Sequence, residues 1–259
     1  MRLVDSHCHL NYDGLAERQA DVLAAARAAG VATMLNISTR EREWGGVIAT
    51  AEREPDVWAS IGIHPHEADA HPDIDTAKLV AAAAHPRVIG IGESGLDYHY
   101  DHSDRGRQRA SFRAHIAAAR ETGLPLIVHT RDAEADTAEI LADEMGKGAF
   151  PALIHCFTAS ADFGTKVLEM GLSISISGIV TFRNAKDLQA FAATIPADRL
   201  LIETDSPFLA PVPHRGRPCE PAFVADTARC LSGLRGVAVE QLAEATADNF
   251  FRLFTKARP

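Results

Sequence analysis

The chain has 259 residues, of which 46% are hydrophobic and 24% are charged, a balance that excludes an intrinsically disordered or low-complexity protein. Lysines and arginines number 26 against 35 aspartates and glutamates, so the net charge of −9 excludes binding to nucleic acid through bulk positive charge. Nucleic acid would have to bind locally, where divalent cations supply the positive charge. No apolar run reaches the roughly 20 residues of a membrane span, and the polar opening MRLVDSHCHL is unlike a signal peptide. We therefore expect a soluble, cytoplasmic protein.

Eight short apolar or β-branched runs recur along the chain and predict eight β-strands. They are Leu3–Val4, Val31–Ile37, Val57–Ile63, Val88–Ile91, Leu124–Val128, Ala152–Ile154, Leu172–Ile176 and Leu200–Ile202. Stretches with helical periodicity separate or follow these runs, among them Leu15–Ala29, Arg105–Thr122, Ala133–Met145, Asp162–Met170, Pro221–Cys230 and Val239–Phe254. Glycines at positions 30, 123 and 171 follow three of these stretches, as is typical of helix C-termini.

Strands that alternate with helices and are apolar throughout predict a parallel sheet covered by helices. Eight such units, in a chain close to the roughly 250 residues typical of the fold, favour a (β/α)₈ TIM barrel of the α/β class. An open, doubly wound sheet is the alternative. No linker, repeat or change of composition divides residues 1–259, so we expect one domain in which the proline-rich Ala210–Pro221 is a long loop.

Ionisable side chains follow six of the eight predicted strands at the point where each strand ends. They are His7 and His9 after the first strand, His64 after the third, Glu93 after the fourth, His129 after the fifth, His155 after the sixth, and Glu203 and Asp205 after the eighth. The carboxyl ends of barrel strands meet at one rim, where catalytic groups are found. Because side chains alternate along a strand, His7 and His9 point to one side, and so do Glu203 and Asp205.

The same alternation directs Cys8 and Cys156 away from the strand-end histidines, so we interpret both as packing residues. The four cysteines of the chain contain no CxxC pair, and a disulfide framework is unusual in a chain of this size. We therefore expect reduced thiols.

Imidazole and carboxylate ligands together suit Zn²⁺, Mn²⁺ or Fe²⁺, and shared carboxylates also admit Mg²⁺. Four histidines, one glutamate and one aspartate are too many for one tetrahedral zinc and match two ions bridged by a carboxylate. All five lysines lie in helical or loop stretches, so no lysine is placed to bridge metals or to form a Schiff base. Glu93 is therefore the candidate bridge. The chain also lacks the GxSxG and Walker A motifs of serine hydrolases and ATPases.

These residues and their neighbours resemble the TatD family of metal-dependent deoxyribonucleases, which belongs to the amidohydrolase-like barrels. The matching segments, in chain order, are His7-Cys8-His9, Gly62–His66, Gly92–Asp97, His129, His155–Phe157, Glu203–Pro207, Arg215–Pro221 and Asn249–Phe251. The resemblance implies a binuclear site that hydrolyses DNA phosphodiester bonds, often from the 3′ end. It implies that His7, His9, Glu93 and Asp205 hold the first metal, and that Glu93, His129 and His155 hold the second. Cys219 departs from the pattern, because many relatives carry Asn before the Glu-Pro pair.

Three carboxylates are the predicted catalytic residues. Glu93 would bridge the two ions, and Asp205 would orient the attacking water and take its proton. Glu203 is expected to accept a hydrogen bond from a ligand imidazole, with pairing to a nearby cation as the alternative.

The predicted substrate-binding residues are His64, Arg183 and Arg215. His64 is expected to contact the scissile phosphate rather than a metal, with a buried structural histidine as the alternative. Arg183 follows the seventh strand and Arg215 and Arg217 follow the eighth, a region where barrels often bind phosphate. Tyr98 and Tyr100 are candidates for stacking on bases, whereas Trp44 is expected to pack in the core or in a loop.

The ligand set alone does not distinguish attack on phosphorus from attack on carbonyl carbon. The alternative function is therefore hydrolysis of an ester, amide or lactone, including deacylation of D-aminoacyl-tRNA. A non-catalytic metal-binding barrel is a third hypothesis, which the completeness of the ligand set disfavours. DNA is the expected partner and a membrane is not. The choice among Mg²⁺, Mn²⁺ and Zn²⁺ and the oligomeric state stay open, and a monomer is compatible with the sequence.

Overall fold

The computed structural model describes residues 1–258 and contains eight parallel strands that pair in chain order, from β1 to β8. The strands are β1 Leu3–Cys8, β2 Val31–Asn36, β3 Val57–Ile61, β4 Val88–Asp97, β5 Leu126–Arg131, β6 Ala152–Ile154, β7 Ser173–Ile176 and β8 Leu200–Ile202. Past β8 the chain returns to β1, where the amide of Asp205 donates to the carbonyl of His7 at 2.9 Å and the amide of His9 donates to the carbonyl of Ser206 at 2.8 Å. These bonds nearly close the barrel, so the predicted TIM-barrel fold is confirmed and an open sheet is excluded.

Nine helices surround the strands within the described residues. They are α1 Gln19–Ala28, α2 Trp44–Arg53, α3 Thr76–Ala83, α4 Arg105–Thr122, α5 Glu134–Lys147, α6 Ala161–Glu169, α7 Lys186–Thr194, α8 Val224–Arg235 and α9 Val239–Leu253. Sequence analysis did not single out α2, α3 and α7; α2 carries two glycines, which disfavour a helix, and α3 has only eight residues. Gly123 ends α4 with φ of 70°, as predicted. No helix of residues 1–258 is long and apolar enough to cross a lipid bilayer.

Apolar side chains pack in two layers. The larger layer lies between the strands and the helices. The smaller layer fills the amino-terminal end of the barrel interior with Val4, Leu35, Ile37, Ile89, Ile127, Leu153, Leu201, Phe250, Phe254 and Ala257. Leu153 belongs to the inner layer, whereas its neighbours Ala152 and Ile154 belong to the outer one, as strand alternation requires. The opposite, carboxyl-terminal end of the interior is left to polar groups.

A bulge in β1 turns two histidines toward that polar end. Between Asp5 and Cys8, three steps along β1 match two steps along β2. Val4 therefore packs inside the barrel, whereas Cys8, four residues later, packs in the outer layer. The extra residue reverses the alternation, so His7 and His9 face the interior.

Close approach of two backbone segments places Glu93. Gly92 has φ of 134°, and a Cβ atom there would lie 2.6 Å from the carbonyl oxygen of Ile127 on β5. A Cβ atom on Gly62 would lie 2.4 Å from the carbonyl carbon of Gly92. Trp44 supports the same segment, because its buried indole donates to the carbonyl of Gly62 at 3.1 Å, in keeping with the predicted packing role.

Candidate metal centre

The six predicted metal ligands converge at the carboxyl-terminal rim of the barrel. They are His7, His9, Glu93, His129, His155 and Asp205. The side chains of His7, His9, Glu93 and His155 are at most 4% exposed, so they face each other with little competition from water. His7, Glu93 and His129 lie in β1, β4 and β5, whereas the other three follow the ends of β1, β6 and β8 within three residues.

A first group of four donor atoms has five of its six separations close to those of a tetrahedral cation site. The Nε2 atoms of His7 and His9 lie 3.2 Å apart. Glu93 Oε2 lies 3.4 and 3.8 Å from these two nitrogens, and Asp205 Oδ1 lies 3.7 and 3.5 Å from them. Ligands at zinc distances of roughly 2.0–2.2 Å have tetrahedral edges of roughly 3.3–3.6 Å. The donor set therefore fits one divalent ion.

A second group surrounds the other carboxylate oxygen of Glu93. Glu93 Oε1 lies 2.8 Å from His155 Nε2 and 3.0 Å from His129 Nδ1, and these two nitrogens are 3.4 Å apart. Each oxygen of Glu93 thus faces its own set of imidazole nitrogens. This is the arrangement that a bridging carboxylate needs.

His64 also approaches Glu93, with Nε2 at 3.5 Å from Oε1. The potential ligand atoms of His64, Glu93 and His129 lie within 4.8 Å of one another, close enough to share a metal ion. The amide of His66, however, donates to His64 Nδ1 at 3.1 Å, so the proton of the neutral ring sits on Nε2. Burial lowers the pKa of His64 well below its ordinary value, which keeps the ring neutral. A protonated Nε2 is a hydrogen-bond donor and has no lone pair for a metal.

Two carboxylates orient the imidazoles of the second group. Glu203 Oε1 lies 3.3 Å from His155 Nδ1 and accepts the amide hydrogen of Cys156 at 2.7 Å. Asp97 Oδ2 lies 3.2 Å from His129 Nε2. When the outer nitrogen of each ring donates to its carboxylate, the nitrogen that faces Glu93 keeps its lone pair free for a cation.

Asp97 is a positioning residue that sequence reasoning missed. The same Oδ2 atom lies 2.8 Å from His66 Nε2, and Oδ1 accepts the amide hydrogens of His99 at 3.0 Å and Tyr100 at 3.2 Å. Its side chain is buried. The signal was present in the sequence, because Asp97 closes the Gly92–Asp97 segment and His66 closes Gly62–His66. Asp97 received no role, because the apolar run that marked β4 ended six residues earlier, at Ile91.

The charges of the cluster favour bound cations. Burial raises the pKa of Glu93, but the charge of His155 and hydrogen bonds from His129 and His155 outweigh this effect and hold that pKa well below its usual range. Burial likewise opposes ionisation of Asp205, yet a hydrogen bond from His9 and the charge of His155 leave its pKa lowered. The pKa of His7 is itself lowered, chiefly by burial. The site therefore holds two ionised carboxylates beside a ring that resists protonation, a set that divalent cations neutralise.

A cavity of about 710 Å³ opens above the cluster. Glu93, Asp205, His9, His129 and His155 form part of its floor. Its other walls include Tyr12, Thr39, Arg40, His64, His66, Glu67, Asp97, Tyr100, Thr130, Arg131, Cys156, Thr158, Ile179, Phe208 and Leu209. The volume lies in the range of small-molecule and cofactor sites, so the cluster is reachable by a substrate.

The family model described as "TatD related DNase" matches residues 4–255, nearly the whole chain. The chain belongs to the TatD family. This TatD chain is 45% identical over 257 residues to the metal-dependent hydrolase YcfH of Escherichia coli K12, covering 98% of this chain and 96% of the relative. It is a metal-dependent hydrolase.

Two further relatives bear on fold and activity. A protein named 3′-5′ ssDNA/RNA exonuclease TatD, from Erwinia tasmaniensis, is 36% identical over 258 residues, covering 97% of this chain and 99% of the relative. The crystal structure of YjjV, a TatD homologue from Escherichia coli K12, superposes with a TM-score of 0.91 at 26% identity and covers 98% of both chains. The barrel fold is therefore shared along nearly the full length of the chain.

The predicted phosphate-binding arginines of this TatD chain do not line the cavity. Arg183 is exposed on the segment that leads to α7, and the guanidinium of Arg215 lies 3.8 Å from the centroid of the Phe182 ring. Arg40 and Arg131 line the cavity instead. Both lie near strand ends, on segments that sequence analysis did not examine for phosphate binding.

The predicted packing role of the cysteines fits the structure at one of the two positions. Cys8 is buried, and its Sγ lies 3.4 Å from the carbonyl of Leu35. Cys156 instead lines the cavity, with Sγ 3.2 Å from the hydroxyl of Ser177. Strand alternation does not apply to Cys156, because β6 ends at Ile154 and Cys156 has a left-handed backbone with φ of 44°. Cys219, the position that departs from the family pattern, is buried beneath the loop.

Proposed function

We propose that this TatD protein is an exonuclease that hydrolyses the phosphodiester bonds of single-stranded DNA from the 3′ end. The observation that carries the proposal is the position of Glu93, whose two oxygens face separate groups of imidazole nitrogens at 2.8–3.8 Å. A bridged binuclear site suits in-line displacement at phosphorus, which needs charge stabilisation of both the attacking and the leaving oxygen. The 36% identity to a 3′-5′ ssDNA/RNA exonuclease supports the same reaction and direction.

Two divalent ions would be held by His7, His9, Glu93 and Asp205 on one side and by Glu93, His129 and His155 on the other. When bound, they supply Lewis acidity and a lowered pKa for water, with Mg²⁺, Mn²⁺ and Zn²⁺ as the candidates. Glu93 holds the two groups at a fixed separation, because it is buried between them.

Asp205 is the proposed proton acceptor. Its Oδ1 atom faces His7 and His9, and Oδ2 makes no hydrogen bond to the described residues, so Oδ2 is free to hold a water on the cavity side. Its lowered pKa keeps the carboxylate ionised and ready to accept a hydrogen bond. Its backbone φ of 57° is uncommon for a residue other than glycine and is fixed by the bond from its amide to the carbonyl of His7.

His64 is the proposed donor to the scissile phosphate. The Nε2 hydrogen assigned above points toward Glu93 Oε1 at the floor of the cavity. A neutral donor in this place binds a non-bridging phosphate oxygen without competing for the cations. Glu203 and Asp97 act through His155 and His129, which they orient, and we assign both as positioning residues.

Arg131 is the better placed of the two cavity arginines for a phosphate. Among residues 1–258 it makes no ion pair, and its side chain is exposed at the end of β5. Arg40 is held by Glu67 at 2.9 Å and lies 3.8 Å from Glu43, so part of its charge is already neutralised. Contact of Arg183 and Arg215 with a longer strand stays a prediction.

The test is cleavage of a 5′-labelled single-stranded oligonucleotide by chelator-treated protein, with and without added Mg²⁺, Mn²⁺ or Zn²⁺. We expect a ladder of products that shorten one nucleotide at a time, only when metal is present. Asp205→Asn should abolish the ladder, and Asp143→Asn, which changes an exposed aspartate on α5, is the matched control.

Release of no nucleotide from metal-loaded protein would contradict the proposal. If the same preparation hydrolysed a lactone or an aminoacyl ester, the reaction would be carbonyl-centred hydrolysis. Shortening from the labelled 5′ end would retain the nuclease and reverse its direction.

A further inference from the structure

The side chain of His66 lies in the cavity wall with one ring nitrogen unused. Its Nε2 atom lies 2.8 Å from Oδ2 of the buried Asp97. The other nitrogen, Nδ1, makes no hydrogen bond to residues 1–258 and is open to solvent, and the side chain as a whole is 25% exposed. His66 therefore offers a polar nitrogen at the cavity wall that no other residue of the described chain contacts by a hydrogen bond.

The partners of His66 fix its ring and its proton. The hydroxyl of Ser103 donates to the carbonyl of His66 at 2.7 Å, which holds the backbone. Burial raises the pKa of Asp97, but hydrogen bonds from His129 and His66 outweigh this effect and leave that pKa lowered, so the carboxylate is ionised. An ionised carboxylate at one imidazole nitrogen keeps a hydrogen on that nitrogen and leaves the other nitrogen to gain and lose a proton. In His66 the exchanging nitrogen is Nδ1.

His66 and Asp205 lie at opposite ends of one line of contacts through the metal-ligand cluster. The contacts that join Asp205 to His66 pass, in order, through His7, Glu93, His129 and Asp97. In-line displacement at phosphorus places the attacking and leaving oxygens on opposite sides of the phosphorus atom. Because Asp205 is the proposed acceptor of the proton from the attacking water, the leaving oxygen points toward the end that holds His66.

His66 also lies next to His64, the proposed donor to the phosphate. Their ring centroids are 4.4 Å apart, and the amide of His66 donates to His64 Nδ1 at 3.1 Å. A phosphate whose non-bridging oxygen binds His64 therefore brings a bridging oxygen close to His66. Arg131 is the nearby cation, with its guanidinium 4.8 Å from the centroid of the Tyr100 ring. It transfers no proton, because a guanidinium stays protonated in proteins.

We infer that His66 is the proton donor to the leaving oxygen, with Nδ1 giving up its proton while Asp205 accepts one from the attacking water. The inference rests on the proposed function and adds a catalytic residue to it. The water oxygen forms a bond to phosphorus, and the bond from phosphorus to the 3′-oxygen of the shortened strand breaks. That oxygen leaves with the bonding electron pair and takes the proton of His66, so the strand ends in a 3′-hydroxyl and the released nucleotide carries the phosphate. His66 then regains a proton from solvent and Asp205 releases one, so water is the only co-reactant.

The experiment varies the leaving group. His66→Gln keeps an N–H group close to the position of Nε2, which preserves the bond to Asp97, and removes Nδ1. We would compare this variant with the wild type, both reloaded with Mn²⁺, on two thymidine 5′-phosphodiesters that release p-nitrophenol or methanol. p-Nitrophenoxide departs without a proton, whereas methoxide needs one. The variant should lower kcat/KM for the methyl ester by roughly 100- to 10,000-fold and for the nitrophenyl ester by less than about 10-fold.

His102→Gln is the matched control, because the exposed ring of His102 lies 4.7 Å from that of His66 between centroids and does not line the cavity. It should leave both rates unchanged. The number of Mn²⁺ ions per chain, measured in each protein, should be the same in His66→Gln and in the wild type. A merely structural role of His66 would lower the rates of both esters together. Equal losses on the two esters, or an unchanged rate on the methyl ester, would overturn the inference.

Release of nucleotides from a single-stranded oligonucleotide by the wild type, measured in parallel, separates the two proposals. Release of nucleotides together with equal losses on the two esters in His66→Gln would retain the nuclease and reject His66 as the proton donor. Hydrolysis of both esters without release of nucleotides, and with a selective loss on the methyl ester in His66→Gln, would reject the nuclease and support His66 as the proton donor.

Discussion

The buried imidazole of His115 predicts a specific dependence of stability on pH. His115 lies on α4, where Nδ1 donates to the carbonyl of Ser111 at 2.7 Å and Nε2 accepts the amide hydrogen of Ile63 at 3.0 Å. Both bonds require the neutral ring, because a protonated Nε2 would face another donor. Burial lowers the pKa of His115 from 6.5 to about 4, against a smaller opposing effect of the bond to Ser111.

The sign and size follow from proton linkage. A histidine whose pKa is lower in the folded chain than in the unfolded chain stabilises the fold fully above pH 6.5 and progressively less as the pH falls toward about 4. The lowering of the pKa from 6.5 to about 4 corresponds to roughly 3 kcal/mol of unfolding free energy. By the same relation, roughly 2 kcal/mol of this is lost between pH 8 and pH 5.

Urea unfolding of chelator-treated wild type and His115→Gln at these two pH values measures the effect. We expect the wild type to lose roughly 2 kcal/mol more than the variant on acidification, because glutamine does not titrate. Ser111→Ala is the matched control, since it removes a buried hydroxyl from the same helix and should shift stability equally at both pH values. If the difference in unfolding free energy between wild type and His115→Gln is the same at pH 8 and pH 5 within about 0.5 kcal/mol, burial of His115 does not lower its pKa as argued.

Three further substitutions test the metal centre and its support. Asp205→Asn should retain most of the bound metal and lower kcat by roughly 100- to 10,000-fold, because it removes the proton acceptor. Metal analysis and steady-state kinetics of the same preparation measure this, and an unchanged kcat would show that Asp205 is not the proton acceptor. Glu203→Gln should lower metal affinity or activity by roughly 10- to 100-fold, because His155 would lose the carboxylate that orients it. Calorimetric titration with metal measures the affinity. If affinity and activity both equal those of the wild type, Glu203 has only a packing role. Gly92→Ala should destabilise the fold by roughly 3 to 5 kcal/mol, because residue 92 has a φ of 134° and its new Cβ atom would lie 2.6 Å from the carbonyl oxygen of Ile127. Urea unfolding at neutral pH measures the change, and a loss of less than about 1 kcal/mol would contradict the prediction.

The strand pattern and the clustering of the predicted ligands at the rim were predictable from local signals. Each barrel strand is buried on both faces, so it reads as an apolar run, and a polar residue at the end of such a run marks the rim. His7 and His9 were correctly placed on one side, because i and i+2 residues stay together even across an upstream bulge. The limits of β4 were wrong, since Glu93, Ser94 and Gly95, which follow the apolar run, are polar or small residues that are buried at the ligand cluster and along β5.

Cavity residues on loops were not predictable in the same way. Arg40 and Phe208 line the cavity because loops after β2 and β8 fold over the rim, and neither loop has a periodicity that reveals its direction. Arg215 shows the converse, because a basic residue close to the rim in sequence stacks on Phe182 instead of lining the cavity. The orientation of His129 by Asp97 depends on contact between two neighbouring strands, which single-strand patterns do not report.

The most direct test of the account is the number of divalent ions bound per chain, counted by elemental mass spectrometry after chelator treatment and reloading with Zn²⁺ or Mn²⁺. The account predicts two ions in the wild type and in Glu139→Gln, which changes an exposed glutamate on α5. It predicts fewer than one ion, on average, in Glu93→Ala, with Glu93→Gln as a second variant of nearly unchanged size. Two ions bound in both Glu93 variants, or a single ion in the wild type, would contradict the bridged binuclear site.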